Sequence, residues 1–186
     1  VSAEKMLIQI IKRARHLTQS GVHVPATPAF SFFLERNISD LDFKEDPDII
    51  DLFILLDDSD IWGSMKFWSQ HDDKVLSMLS IMLLNRNLFQ INISGDKSDL
   101  QDKNSILQAV KNKLDISEKE ADYFVGHGKI SNAAYISKGQ SINILTKKGE
   151  IIDVASATDL HNIKAISKVV KKYYQCWPKQ VIIPGI

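Results

Sequence analysis

Ala3, Met6, Leu7, Ile10, Ile11, Ala14 and Leu17 recur at i, i+3, i+4 and i+7, so the sequence begins with an amphipathic helix. Ser20-Gly21, Pro25 and Pro28 then mark a loop, and Phe30 to Arg36 form a short helix that ends before Asn37. Residues 38 to 46 read as acidic and irregular. Pro47 takes the first-turn position that suits proline, and Ile49, Ile50, Phe53, Leu55 and Leu56 give the helix after it an apolar face. Asp57, Asp58, Ser59 and Asp60 break that helix and offer N-caps to the next, on which Ile61, Met65 and Trp68 align. A fifth helix runs from about Lys74 to Asn85 with Val75, Met78, Leu79, Met82 and Leu83 inward. The first half is therefore all helical.

The periodicity changes at Asn87. Leu88, Gln90 and Asn92 alternate with Phe89, Ile91 and Ile93 in the period-2 pattern of a half-buried strand. A polar loop over 94 to 104 leads to a helix on Ile106, Leu107, Val110 and Leu114, and Ser117 with Glu120 reads as a capping box. Strand candidates follow at Tyr123–Val125, Ile142–Thr146, Ile151–Val154 and Val169–Trp177, the middle two joined through Lys147-Lys148-Gly149 as a hairpin. Between the last two, Ser156 to Ser167 reads as a helix with Leu160, Ile163 and Ile166 on one face. The expected fold class is α+β: an N-terminal half of about five helices (residues 1–86), then a small antiparallel sheet with helices on one side (87–186).

Composition narrows the function classes. Lys plus Arg equals Asp plus Glu at 23 each, so no net field draws this chain to DNA or to an acidic membrane, and no apolar run reaches membrane-spanning length. One cysteine, Cys176, excludes an internal disulfide and a cysteine-rich zinc site, and without a secretory leader the expected setting is the cytoplasm. Val1 is not an initiator Met and already stands beside the first apolar stripe, the pattern expected of a segment cut from a longer chain, which tag removal or processing would also produce.

Four clusters carry candidate chemistry. His71-Asp72-Asp73 contains the adjacent His-Asp pair by which HD phosphohydrolases help hold a water-activating metal. That site also needs another upstream His and a downstream Asp, and His16 and His23 fall on a helix surface and in a loop, so an interhelical turn with Asp72 or Asp73 as N-cap is the favoured reading. Asp57, Asp58 and Asp60 lack the glycine and terminal glutamate of a calcium loop and read as caps. Gly126-His127-Gly128-Lys129 fails the phosphate-loop pattern at Tyr123 and Ile130 and reads as a turn leaving a strand. Lys12, Arg13 and Arg15, like Lys168, Lys171 and Lys172, suit a phosphate but more often form a solvated face. Cys176 lies in an apparent strand with no adjacent histidine, so nucleophilic catalysis has no support.

The stretch Leu83-Leu84-Asn85-Arg86-Asn87-Leu88-Phe89 resembles the Arg-Asn-Leu-Phe segment that follows the catalytic domain in HD-superfamily dNTP triphosphohydrolases and their bacterial relatives. Leu56-Asp57-Asp58-Ser59-Asp60-Ile61-Trp62, Ile130-Ser131-Asn132-Ala133-Ala134-Tyr135, Ile142-Asn143-Ile144-Leu145 and the tail Val170 to Lys179 extend the resemblance over nearly the whole chain. The resemblance implies an enzyme whose metal-binding His, His-Asp and Asp precede this segment, with a divalent metal such as Mg or Mn in that domain and no cofactor or catalytic residue here. It also implies that Arg86, with Asn87, meets the phosphate of a regulatory nucleotide at a subunit interface, although Gln90 replaces a second basic residue of the family pattern. The expected partners are the HD catalytic domain and further copies of the protein. The different-class alternative is a stand-alone protein-interaction module whose sheet offers an edge, and a third reading makes His71 and Asp72 the centre of a self-contained hydrolase.

Overall fold

The computed structural model describes residues 1–132, 143–153 and 170–183. The first stripe becomes α1 (Ser2–Gln19), which buries Met6, Ile10, Ala14 and Leu17. Helix α2 (Pro28–Glu35) starts on a proline whose missing N–H costs a first turn nothing, and it buries Ala29, Phe30 and Leu34. In α5 (Asp58–Trp68) and α6 (Lys74–Leu84) the inward residues include Met65 and Trp68, then Val75, Leu76, Leu79, Met82 and Leu83. Helix α1 packs on α2 and α6, and α6 on α5. The Trp68 indole N–H donates to the Pro25 carbonyl at 2.7 Å, which ties the loop after α1 to this core.

Two features of the helical half differ from expectation. The acidic stretch before Pro47 is not wholly irregular: Asp42–Glu45 forms a short helix, α3, whose start is held by the Asp42 carboxylate accepting from the Ser39 N–H and hydroxyl. The half therefore has six helices instead of five. Helix α4 (Pro47–Ile54) begins where expected, with Asp46 as N-cap, but buries Ile49 alone among its residues. Ile50, Phe53 and the following Leu55 lie exposed, although the Phe53 ring still meets Phe33 of α2 and Phe43 of α3 along one edge.

The second half holds α7 (Lys103–Leu114), burying Ile106, Leu107, Val110 and Leu114, and α8 (Glu118–Ala121), opened by the reciprocal Ser117–Glu120 capping box. The strands are β1 (Gln90–Ser94), β2 (Gly126–Asn132), β3 (Asn143–Leu145), β4 (Ile151–Asp153) and β5 (Val170–Trp177). Their order is β1-β5-β2 in one sheet, and β3 with β4 forms an antiparallel hairpin in which Leu145 faces Ile151. Gly149 adopts φ 81° at the hairpin turn, the left-handed conformation glycine takes at least cost. The α+β class is thus observed.

The strand expected at Tyr123–Val125 is instead a 3-10 turn over Asp122–Phe124, and the strand begins at Gly126. The Gly-His-Gly-Lys segment is accordingly strand and not turn. Its glycines answer to crowding: a Cβ on Gly126 would stand 2.5 Å from the Cys176 sulfur, and one on Gly128 2.9 Å from the Tyr174 ring. Along β1 the polar Gln90, Asn92 and Ser94 are half-buried and Ile91 and Ile93 exposed. The helix expected over Ser156–Ser167, Lys168 and the ends of three strand candidates at Ile142, Val154 and Val169 lie outside the described residues.

Two compact units emerge. Unit 1 comprises Val1–Ile91, Gln101–Gly126 and Cys176–Ile186; unit 2 comprises Asn92–Leu100 and His127–Gln175. Unit 1 holds the core just described, including Phe124, Cys176 and Trp177, each almost wholly inaccessible to solvent. No helix among the described residues is long and apolar enough to cross a membrane.

Candidate functional site

Arg86 stands at the corner where α6 ends. The Arg86 N–H donates to the Leu83 carbonyl at 3.1 Å and the Asn87 N–H to the Met82 carbonyl at 2.8 Å, the paired bonds of a Schellman helix end. That motif needs a left-handed residue just past the cap, normally glycine, and here Arg86 adopts φ 55°. A side chain there costs about 1 kcal/mol or more in backbone sterics. Arg86 and Asn87 are both exposed, and among the described residues no carboxylate or carbonyl pairs with the guanidinium. The corner itself is firmly held: Phe89 is buried with its ring 6.5 Å from that of Phe124, and its carbonyl accepts from the Ser2 hydroxyl at 2.8 Å. A strained, exposed, unpaired arginine on a fixed corner can receive an anion. Gln90, one residue into β1, adds no second charge.

His71-Asp72-Asp73 occupies the α5–α6 junction, and its groups are already engaged. The Asp73 N–H donates to His71 Nδ1 at 2.9 Å, so the proton of the neutral ring sits on Nε2, which lies 3.1 Å from the His23 carbonyl. His71 and His23 are thus brought together through backbone, not through two rings aimed at one point. Asp73 caps α6 by accepting from the Leu76 N–H and forms a two-pronged pair with Arg13, at 3.0 Å from Nε and 2.6 Å from Nη2. Burial pushes the Asp73 carboxyl up, but the Arg13 hydrogen bonds, the Leu76 N–H and the arginine's charge outweigh it and hold the group below its ordinary value. Arg13 also lies 5.3 Å from the centre of the Tyr123 ring. A groove of about 930 Å³ runs past Leu17, Val22, His23, Phe67 and His71.

The remaining candidates are structural. Asp57 and Asp60 form the capping box of α5, and the Thr27 hydroxyl donates to Asp60 at 2.5 Å. Arg15 donates to the Arg36 carbonyl and to Asn37 Oδ1, while Lys12, Lys171 and Lys172 are solvated. Burial pushes the Cys176 thiol up, away from the thiolate that a nucleophile needs. Among the described residues no three His, Cys, Asp or Glu side chains are grouped to hold a metal. The left-handed backbone at Arg86 was invisible in the sequence; an Arg-Asn pair following an apolar helix was the one available signal.

No protein-family model matches this chain, and no curated protein does. Among solved structures it is similar to a phosphohydrolase of Bacteroides thetaiotaomicron VPI-5482, with 40% sequence identity and a TM-score of 0.80 over 96% of this chain. The match covers 44% of that phosphohydrolase, so this chain spans less than half the length of the protein it resembles.

Proposed function

We propose that this chain is a non-catalytic portion of an HD-type, metal-dependent nucleotide phosphohydrolase, placed after its catalytic domain. It packs on that domain, supports oligomerisation, and presents Arg86 and Asn87 to the phosphates of a regulatory nucleotide. The observation that carries this reading is the 40% identity to a phosphohydrolase along 96% of the chain, joined to a match that leaves more than half of that enzyme unaccounted for.

The residues described do not fit a divalent metal. Both His71 ring nitrogens are occupied, and Asp73 is committed to Arg13 and to the α6 cap. No hydrolytic step is therefore assigned to this chain. Arg86 supports the regulatory role on physical grounds: a guanidinium offers several fixed donors to phosphate oxygens, and its backbone strain is retained with no compensating contact among the described residues.

The test is phosphate release from the purified chain and from its full-length parent, with Mg and Mn separately, over a panel of nucleoside triphosphates. Turnover by the parent alone is expected, and Arg86→Ala in the parent should reduce activation by added nucleotide while leaving unactivated turnover in place. Metal-dependent turnover by this chain that disappears in His71→Ala would overturn the reading.

A further inference from the structure

The charge of this chain is balanced overall but not locally. Between Asp40 and Asp60 nine residues are acidic and Lys44 is the one basic residue, so this short stretch concentrates negative charge in a chain whose 23 acidic and 23 basic side chains otherwise cancel. The same stretch carries the largest run of exposed apolar side chains in unit 1. On α4, Ile50, Phe53 and Ile54 follow one another at helical spacing with relative exposures of 43, 56 and 71%, and Leu55 at the helix end is 67% exposed. Leu41, 59% exposed, precedes α3, which packs on α4.

This surface is built to hold its shape. Phe53 meets Phe43 edge-on at 5.7 Å and Phe33 at 6.1 Å, so α4 is anchored through this one ring while Ile50, Ile54 and Leu55 stay exposed. Asp46 and Asp57 fix the helix starts on either side through their caps. Scattered exposed apolar residues need no explanation; a contiguous helical stripe bordered by charge of one sign marks an interaction face.

Charge selects the occupant. A two-fold contact between copies through this face would bring two acidic rims together, and like charges across an interface are costly. Anionic lipid headgroups and nucleic acid are repelled for the same reason. A polypeptide with an apolar ridge flanked by lysine or arginine meets both requirements, burying the stripe and neutralising the rim. The basic side chains nearest the aromatic cluster, Arg15 and Arg36, keep their charge but line the groove with Phe33, Phe43 and Phe53, whereas the acidic Asp48 and Asp51 stand exposed on α4 itself. Arg15 donates to the Arg36 carbonyl and Asn37, and the Arg36 guanidinium lies 4.4 Å over the Phe32 ring.

We propose that the outer stripe of α4, with Leu41 beside it, is a docking face for a basic amphipathic helix of a protein partner. This rests on the exposure and charge of this chain, and it requires that the stripe stay uncovered when the chain packs on the catalytic domain of the phosphohydrolase reading. The test is fluorescence anisotropy at physiological salt with two labelled 18-residue helical peptides that share one leucine stripe, one with lysine on the polar face and one with glutamate. The 186-residue chain should bind the Leu/Lys peptide at least tenfold more tightly than the Leu/Glu peptide. Ile54→Ser/Leu55→Ser, which alters exposed positions only, and Asp48→Asn/Asp51→Asn should each weaken Leu/Lys binding at least fivefold, with unchanged circular dichroism.

Equal binding of the two peptides, binding that ignores both double substitutions, or no binding at all would overturn the proposal. Self-association of the chain that Ile54→Ser/Leu55→Ser abolishes would also overturn it, by assigning the face to a second copy. So would co-sedimentation with phosphatidylglycerol vesicles lost in the same variant.

Discussion

Replacing Arg86 with glycine should make this protein more stable, an unusual outcome for removing an arginine. Arg86 sits at φ 55° in a helix end whose two closing hydrogen bonds come from backbone and survive substitution by glycine or alanine. A non-glycine residue in this conformation costs about 1 to 2 kcal/mol, whereas glycine enters it freely but loses about 0.5 to 1 kcal/mol more chain entropy on folding. The balance favours Arg86→Gly by about 0.5 to 1 kcal/mol. For a chain of this length that corresponds to a rise in Tm of roughly 1 to 4 °C, followed by circular dichroism at 222 nm and confirmed by urea titration. Arg86→Ala keeps the strain and should leave Tm within about 1 °C of the parent value. If the proposed regulatory role holds, both substitutions should reduce nucleotide activation of the full-length protein equally. Stability and response then separate: a corner kept for binding loses its function in Gly and Ala alike but gains stability in Gly alone. A fall in Tm for Arg86→Gly would refute the reasoning, since the arginine would then be contributing packing or pairing that outweighs its backbone cost.

Other expectations are more conventional. Asp73→Asn should cost about 2 kcal/mol at pH 7 by removing the charged partner of Arg13. Because the Asp73 carboxyl is held below its unfolded value, its contribution is present above the unfolded pKa and lost as pH falls through the folded one; the gap between wild type and Asp73→Asn in urea denaturation should therefore narrow below about pH 4. Gly126→Ala should cost about 1 to 3 kcal/mol through its collision with the buried Cys176 sulfur, and Cys176→Ala should relieve part of that penalty; strict additivity in the double-mutant cycle would refute the contact.

Much of the fold was legible because its signals are local. The α1 stripe, the Pro47 start, the Ser117–Glu120 box and the Lys147-Lys148-Gly149 turn each specify their structure within a few residues, and each is observed. The errors fall where the deciding partner is distant. Gly126 and Gly128 read as turn residues because glycine is a turn former, yet their real constraint is a strand some 50 positions away, carrying Tyr174 and Cys176. The apolar positions of α4 were legible as a helical face but their exposure was not, because periodicity reports that a face is apolar and not what covers it. At the candidate site the geometry was not readable from the sequence. A left-handed arginine carries no sequence mark, and the engagement of His71 with Asp73 and His23 depends on a loop closing against a helix junction.

The discontinuity of unit 1 sets limits on how this protein can be made and dissected. Cys176, Trp177, Val181 and Ile183 are buried members of a unit whose helices begin at Ser2, and the Trp177 indole is tied to the Val181 carbonyl. On the ribosome the first helices emerge long before the segment that finishes their core, so unit 1 must wait, incompletely packed, while all of unit 2 is synthesised. A truncation after residue 170 would leave the early helices without part of their interior. Cutting the chain at the change from helix to strand would likewise yield two damaged pieces, and loss of binding or activity in such fragments would report missing packing before it reported a missing site.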